Sequence, residues 1–374
     1  MIYIHIPFCK QKCSYCNFHF STSLHFKDEM ISAMKKEIFL RKDELQHKTL
    51  KSLYFGGGTP SILSAGEINS LIDEVLKYFS FEKDIEVTLE ANPDDLDKNF
   101  LKELSNTPVN RLSIGTQSFF DEDLKLMNRA HNASEAEGSI KRAQDFGFEN
   151  LSIDLIYGSP TSSLEIWKEN LNKTIALDVP HISSYALTVE PKTALNDWIL
   201  KGKVLSPKEE EQNKEFYYLS DFLKDNGFEH YEVSNFAKPG MHSKHNSAYW
   251  KYQEYLGIGP SAHSYNGRDI RSWNAANNQQ YIRKLENNAL AKESEVLSEN
   301  DQFNEMIMIG LRTIWGVDLE GLKTKFSPDV LEKLQISICR KLEEGILAVE
   351  NNHLKIPEKH WFLADGIASD LFMI

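Results

Sequence analysis

Three of the chain's four cysteines lie close together near its start, and this cluster constrains the chain more than any other feature. They are Cys9, Cys13 and Cys16 in IHIPFCKQKCSYCNF, whereas Cys339 is distant in sequence. A structural zinc site needs four protein ligands, but an iron–sulfur cube can be held by three thiolates that leave one iron open to a small molecule. The spacing therefore favours an open cluster. A zinc site completed by His5 or His19 is the alternative, and a disulfide is less favoured still.

The charge balance limits the partners of the chain. Lys and Arg total 42 against 55 Asp and Glu, a net charge of -13 over 374 residues, and no long basic run is present. Nucleic-acid binding is therefore not expected. There is no basic leader, and no run reaches the roughly 18 apolar residues that span a bilayer. Clustered cysteines also fit a reducing compartment, so we expect a soluble cytoplasmic protein.

Six strand-like runs alternate with helical patterns over residues 1–227. The runs are IYIHI, SLYFGG, IEVTLEAN, VNRLSIGTQ, NLSIDLIYG and HISSYALTV, and the helical patterns lie near 27–47, 66–79, 97–106, 121–147, 164–176 and 206–226. This alternation predicts a parallel sheet in an α/β fold, either open and doubly wound or a partial barrel of the TIM type.

The ends of these strands favour the barrel. Each strand is followed by unusual polar or glycine residues, namely the Cys loop, Gly56 to Thr59, Glu90, Gln117, Asp154 and Tyr185. In a barrel all these ends meet on one face and form one pocket. The sequence therefore predicts a partial (β/α)6 barrel with its site at the carboxyl ends of the strands.

Two further regions follow the predicted barrel. Residues 228–295 are expected to be irregular and to lie across the barrel mouth. Residues 296–374 predict helices at 303–313, 319–325 and 328–343, two short strands in GILAVENNHLKI, and a last helix near 359–372, an order similar to a winged helix. The helix at 328–343 mixes both charge signs, which favours packing or partner contact over DNA binding. Cys339 on this helix is expected to be a small buried apolar residue.

The Cys motif and YFGGGTPS together resemble the radical S-adenosylmethionine (SAM) superfamily, in its branch of oxygen-independent coproporphyrinogen III oxidases. The resemblance implies a [4Fe-4S] cluster on Cys9, Cys13 and Cys16. It implies SAM contacts at Tyr3, Tyr15, Gly57, Gly58, Thr59, Glu90, Gln117, Arg129, Asp154 and Ala186. The glycines have a physical reason of their own, because they let the backbone approach a ligand and present N–H groups to it. No Gly-Lys-Ser/Thr follows them, so a phosphate-binding loop is not expected.

Two details separate the chain from the true oxidases. Phe18 stands where they carry a further cysteine, and the cluster loop begins at residue 9 without their upstream segment. HNSAYW at 245–250 resembles the HNxxYW motif of the HemW heme chaperones. That resemblance implies heme binding at His245, Asn246, Tyr249 and Trp250. Imidazole can ligate iron, and Tyr and Trp offer flat apolar area to a porphyrin.

The resemblance predicts a protein that binds heme and delivers it to a recipient hemoprotein, such as a respiratory-chain subunit, with a homodimer possible. His242 and His263 are reserve heme ligands. The alternatives are a coproporphyrinogen III oxidase, a radical enzyme acting on another substrate, and a purely structural zinc protein. The motif histidine could also be a packing residue in an aromatic loop.

Overall fold

The computed structural model describes residues 1–373 and contains a nine-stranded sheet. Its strands, in spatial order, are β7 (Glu229–Glu232), β8 (Asn235–Ala237), β6 (His181–Ala186), β5 (Asn150–Tyr157), β4 (Arg111–Gln117), β3 (Ser80–Ala91), β2 (Thr49–Gly57), β1 (Ile2–Ile6) and β9 (Leu256–Ile258). Strands β1 to β6 pair in parallel with their sequence neighbours. The predicted α/β fold with six parallel strands is confirmed.

Helices connect these strands. They are α1 (Lys27–Leu40), α2 (Ala65–Leu76), α3 (Lys98–Leu104), α4 (Asp121–Leu126), α5 (Ala133–Asp145), α6 (Leu164–Ala176), α7 (Ala194–Leu200) and α8 (Glu209–Asp225), with one-turn 3-10 helices at Pro60–Ile62 and Pro93–Asp95. The pattern near 121–147 forms two helices, because Asn128 has a left-handed φ of 52° and Asn132 caps the second helix. None of the helices over residues 1–373 has the length and apolar character needed to cross a bilayer.

The sheet curves so that its carboxyl ends meet. Ser14, in the loop after β1, donates its backbone N–H to Met127 O, after α4, at 3.0 Å. The carbonyl of Ser14 accepts from the N–H of Leu195, in α7 beyond β6, at 2.8 Å. Loops that follow the first, fourth and sixth strands are therefore in contact, as the barrel prediction requires.

The segment 228–295 was expected to be irregular, and this prediction is wrong. Besides β7, β8 and β9 it contains α9 (Lys244–Trp250), β10 (His263–Tyr265), β11 (Ile270–Asn274), α10 (Asn278–Glu286) and β12 (Lys292–Val296). Strands β7 and β8 extend one edge of the sheet and β9 pairs with β1 at the other, while β10, β11 and β12 form a second sheet. Most of these strands have three to five residues, too short for a clear alternating pattern.

The C-terminal region has the predicted winged-helix order. It contains α11 (Glu299–Leu311), β13 (Val317–Asp318), α12 (Leu319–Lys325), α13 (Pro328–Glu343), β14 (Ala348–Glu350) and β15 (His353–Lys355), then a 3-10 helix (Glu358–Leu363) and α14 (Ala364–Ser369). The three strands form an antiparallel sheet. The expectation that Cys339 is buried is wrong: it lies on the exposed face of α13, as does Ile336, because the buried stripe of this helix is Val330, Leu334 and Ile338.

Candidate cofactor site

The Cys loop between β1 and α1 is held in place by its backbone. Cys9 donates its N–H to Ser21 O at 3.0 Å, and Cys16 donates its N–H to Cys13 O at 3.3 Å. The side chain of Ser14 also donates, to Leu126 O at 2.7 Å. All three clustered thiols are free and half-buried. The loop therefore presents three soft sulfur ligands from one rigid segment, the donor set that suits an iron–sulfur cluster.

The histidines of the zinc alternative are engaged elsewhere. The Nε2 atom of His5 lies 2.9 Å from the carbonyl of His19, and its Nδ1 atom lies 3.3 Å from the Tyr3 hydroxyl. The Nε2 atom of His19 is 2.7 Å from Asn278 Oδ1. Both histidines are therefore held by other partners, and neither is free to complete a zinc site with the three cysteines.

Arg129 ties the Cys loop to the barrel. Its Nη1 atom lies 3.2 Å from the Cys13 sulfur, and its Nη2 atom donates to Asn92 Oδ1 at 2.6 Å and Gly115 O at 2.9 Å. Its Nε atom is buried without a hydrogen-bond partner in the described chain. Arg129 is therefore part of the predicted site rather than a surface ion pair. Asn92, directly after the strand that carries Glu90, was missed by the sequence reasoning.

The glycine loop packs beneath the Cys loop. Gly57 has φ of 107°, and a Cβ there would lie 2.5 Å from the His5 ring, while a Cβ on Gly58 would lie 2.5 Å from Phe8 O. The N–H groups of Gly58 and Thr59 donate to Ile6 O at 2.9 Å and Phe8 O at 2.7 Å. The prediction that this loop presents its N–H groups to a ligand is wrong, because they are satisfied within the chain. The glycines serve instead to let two loops of the site approach each other.

Two half-buried carboxylates lie on β3 and β5, on either side of β4 in the sheet. Glu90 accepts from the Tyr54 hydroxyl at 2.8 Å and from the Gly57 N–H at 3.2 Å, and burial raises its pKa to about 7. Asp154 accepts from the Ser113 hydroxyl at 3.2 Å, and burial raises its pKa to about 6. Neither caps a helix. Both can therefore change protonation near neutral pH when a charged group binds beside them.

A cavity of about 410 Å³ opens next to these groups. Its wall includes Tyr3, His5, Gly57, Glu90, Tyr249 and His263. Tyr3, Gly57 and Glu90 were predicted to meet, and they do. Gln117 and Ala186 end β4 and β6 and, like Asp154, do not line this cavity; Tyr15 packs against the small cluster of Met127, Ile156, Leu187 and Leu195.

The HNSAYW motif forms helix α9 rather than a loop. Its N-terminus is bound by the Glu86 carboxylate, which accepts from the N–H groups of Lys244 and His245 at 2.9 Å each. The His245 side chain is only 1% exposed. Its Nδ1 atom is hydrogen-bonded to Ser52 Oγ at 2.9 Å and its Nε2 atom to Tyr249 OH at 3.1 Å.

Burial holds the pKa of His245 well below its ordinary value, so the imidazole is neutral. Because both ring nitrogens are engaged, His245 could ligate iron only after these bonds break. Asn246 and Trp250, also half-buried, belong to the same helix, and the Trp250 Nε1 atom has no partner among residues 1–373. Heme ligation by this motif stays a prediction.

Comparisons with known proteins agree along the whole chain. The profile of the radical SAM superfamily matches residues 3–173, and that of the HemN C-terminal domain matches residues 297–363. The heme chaperone HemW of Lactococcus lactis is 33% identical over 98% of this chain and 95% of its own length. HemW of Bacillus subtilis is 34% identical over 92% of each chain. A mouse protein, radical S-adenosyl methionine domain-containing protein 1, mitochondrial, is 33% identical over 95% of this chain and 83% of its own.

One solved structure shares the overall fold. Coproporphyrinogen III oxidase (HemN) from Escherichia coli matches with a TM-score of 0.84 and covers 100% of this chain and 89% of the oxidase. The two sequences are 24% identical, so this likeness describes the fold alone.

Proposed function

Because the chain belongs to the HemW family of the radical SAM superfamily, we propose that it is a heme chaperone, which binds heme and delivers it to a recipient hemoprotein. One observation carries the proposal: the helix with the HNSAYW motif lies against the barrel interior, and its Tyr249 lines the same cavity as Glu90 and Tyr3. The motif shared with the HemW chaperones therefore shares a cavity with residues of the predicted cofactor site.

The residues at the barrel mouth fit the cofactors that the superfamily implies. Cys9, Cys13 and Cys16 would hold a [4Fe-4S] cluster. The unpaired Nε atom of Arg129 offers a donor to a carboxylate, and Glu90 and Asp154 can accept from an amine or hydroxyls, so the set suits the polar ends of SAM. When bound, the two groups supply one-electron chemistry at a sulfonium sulfur. The chain itself orients them, neutralises the thiolates through Arg129 and excludes water.

The recipient is proposed to be a hemoprotein such as a respiratory-chain subunit, and a homodimer is compatible with this role. Three half-buried free thiols and an exposed Cys339 suit a reducing compartment such as the cytoplasm.

A second candidate is coproporphyrinogen III oxidase activity, which the shared fold favours. Phe18 weighs against it, because it stands where the oxidases carry a further cysteine. Its side chain is 69% exposed and lies on the wall of the mouth cavity.

The test is anaerobic reconstitution with iron and sulfide, followed by heme titration of one sample and a decarboxylation assay with coproporphyrinogen on another. Saturable heme binding without decarboxylation supports the chaperone. Decarboxylation at a rate that sustains turnover would identify the oxidase instead, and the absence of heme binding would reject the proposal.

A further inference from the structure

A second, larger concavity lies on the opposite side of the barrel. This basal groove has a volume of about 990 Å³ and is formed by Met1, 46–49, 51–52, Glu82, Asp84, His242, Lys244, 247–248, 251–254, 266–268 and Trp315. It contains the first residues of β2 and β3, so it faces the amino ends of the strands, away from the Cys loop. No part of the proposed cofactor site lines it.

Helix α9 separates the groove from the barrel interior. Lys244, Ser247, Ala248 and Lys251 line the groove at the i, i+3, i+4 and i+7 spacing of one helix face. Tyr249 lines the mouth cavity on the other side of the helix. His245 is buried between the two cavities and is hydrogen-bonded to Ser52, which itself lines the groove. The HNSAYW helix is thus a wall between two cavities.

Five Lys or Arg side chains line the groove against three carboxylates, Glu82, Asp84 and Glu254, in a chain whose net charge is -13. Lys244 is paired with Asp84, and Lys48 with Asp43. Glu254 accepts from the backbone N–H groups of Gln46 and His47, at 3.0 Å each.

Three cations remain. Lys51, Lys251 and Arg268 line the groove without a carboxylate within ion-pair distance anywhere in residues 1–373, and Arg268 donates to Gln46 Oε1 at 3.4 Å. The Nζ atom of Lys251 lies 4.6 Å from the centroid of the Trp315 ring. The groove therefore combines free positive charge with a flat aromatic surface.

An unsatisfied polar atom also marks the groove as a binding surface. The Ser247 hydroxyl is buried and lacks a hydrogen-bond partner in the described chain, and Ser247 lines the groove. Ser247 as a whole is 9% exposed. Such groups are uncommon in folded proteins unless a ligand or water satisfies them.

We propose that heme binds in the basal groove, with its two carboxylates on Lys51 and Lys251 and its ring against Trp315. This inference rests on the proposed function, and it places the porphyrin outside the barrel, on the far side of α9 from the cofactors. A flat, apolar dicarboxylate suits a groove in which Lys and Arg outnumber carboxylates and in which Trp315 offers an aromatic surface, whereas the mouth cavity has less than half the volume.

The test compares two double variants of equal charge. Lys51→Glu/Lys251→Glu alters the groove, and Lys203→Glu/Lys333→Glu changes two exposed lysines elsewhere that have no ion-pair partner in the described residues. Each cluster-loaded protein is titrated with heme and, in detergent, with heme dimethyl ester, which lacks the carboxylates. We expect the groove variant to bind heme at least about tenfold more weakly than the wild type, and the control variant to match the wild type. The groove variant and the control variant should bind the ester with the same affinity.

The outcomes separate this inference from the function it rests on. Equal heme affinity in all three proteins would place the heme elsewhere. It would overturn the proposed heme site in the groove, while the chaperone proposal stands. An equal loss of heme affinity in both double variants, or a loss of affinity that persists with the ester, would reveal a general effect of charge or folding. Either result would also overturn the proposed heme site. If the wild type binds no heme, the chaperone proposal itself fails.

Discussion

The two cavities on either side of α9 are built in opposite ways. At the mouth, the polar groups are buried and mostly paired within the chain: Glu90 with Tyr54, His5 with the backbone of His19, His245 with Ser52. In the basal groove, Lys51 and Lys251 form no ion pair within residues 1–373, and the Ser247 hydroxyl has no hydrogen-bond partner there. A preorganised site suits a cofactor that stays in place, whereas an open charged groove suits a ligand that must be released.

The largest effect is expected at the mouth. Cys9→Ser, Cys13→Ser or Cys16→Ser should abolish the [4Fe-4S] absorbance and EPR signal after reconstitution, because three ligands are the fewest that hold the cube. Cys339→Ser, on the exposed face of α13, is the matched control and should leave the iron content unchanged. A full cluster in any of the three variants would contradict the assignment.

An added methyl group at Gly57 should disrupt the packing at the barrel mouth. Gly57→Ala places a Cβ against His5 at a φ of 107°, so we expect a loss of about 2–4 kcal/mol in the free energy of unfolding. Gly147→Ala is the control: its φ is 86°, but a Cβ there would meet no atom within 4 Å, so only about 1 kcal/mol is expected. Chemical denaturation measures both. Equal losses of unfolding free energy would mean that the close approach of the two loops contributes nothing to the effect of Gly57→Ala.

The mouth should also respond to pH through Glu90. Its pKa is raised from 4.5 to about 7 in the folded protein, so the folded state binds more protons than the unfolded state between these values. Stability should therefore fall as pH rises from about 4.5 to 7, by on the order of 1–3 kcal/mol, and then level off. Glu90→Gln should flatten this part of the pH profile, measured by urea unfolding at each pH. An unchanged profile would show that Glu90 does not titrate there.

Different effects are expected for the histidines on the two sides of α9. His47 lines the basal groove and its ring forms no hydrogen bond within residues 1–373, so we expect it to ligate the iron of a heme bound there and His47→Ala to shift the Soret band. His245→Ala should lower stability by about 1–3 kcal/mol, because Ser52 and Tyr249 lose a buried partner, but leave the band position unchanged. A shift with His245→Ala alone would reverse the assignment and support the motif histidine as the ligand.

The sequence predicted the regular part of the fold because long strands and helices carry a clear period. Strand β5 and helix α6 lie where the pattern indicated. The short strands β7 to β10 were not predicted. Three or four residues cannot show an alternating pattern, and such strands form because they pair with other strands in the folded protein. The same limit applies to α9, whose seven residues follow no amphipathic pattern visible in the motif.

The site was predicted where residue chemistry alone is informative. Three clustered thiols are unusual enough to identify from the sequence, whereas Glu90 was identified through the family resemblance. The direction of a backbone N–H cannot be read from a glycine run, so the donor role expected of the Gly58 N–H was wrong. The basal groove was not predicted, because Lys51 and Lys251 look like ordinary surface lysines until the fold brings them together with Trp315.

The most direct test of the two-sided arrangement is a crystal structure of the cluster-loaded protein with heme bound. We expect porphyrin density in the basal groove, with the heme carboxylates near Lys51 and Lys251, and helix α9 intact between the heme and the cluster. Porphyrin density in the mouth cavity, against Tyr249 or His263, would contradict this arrangement.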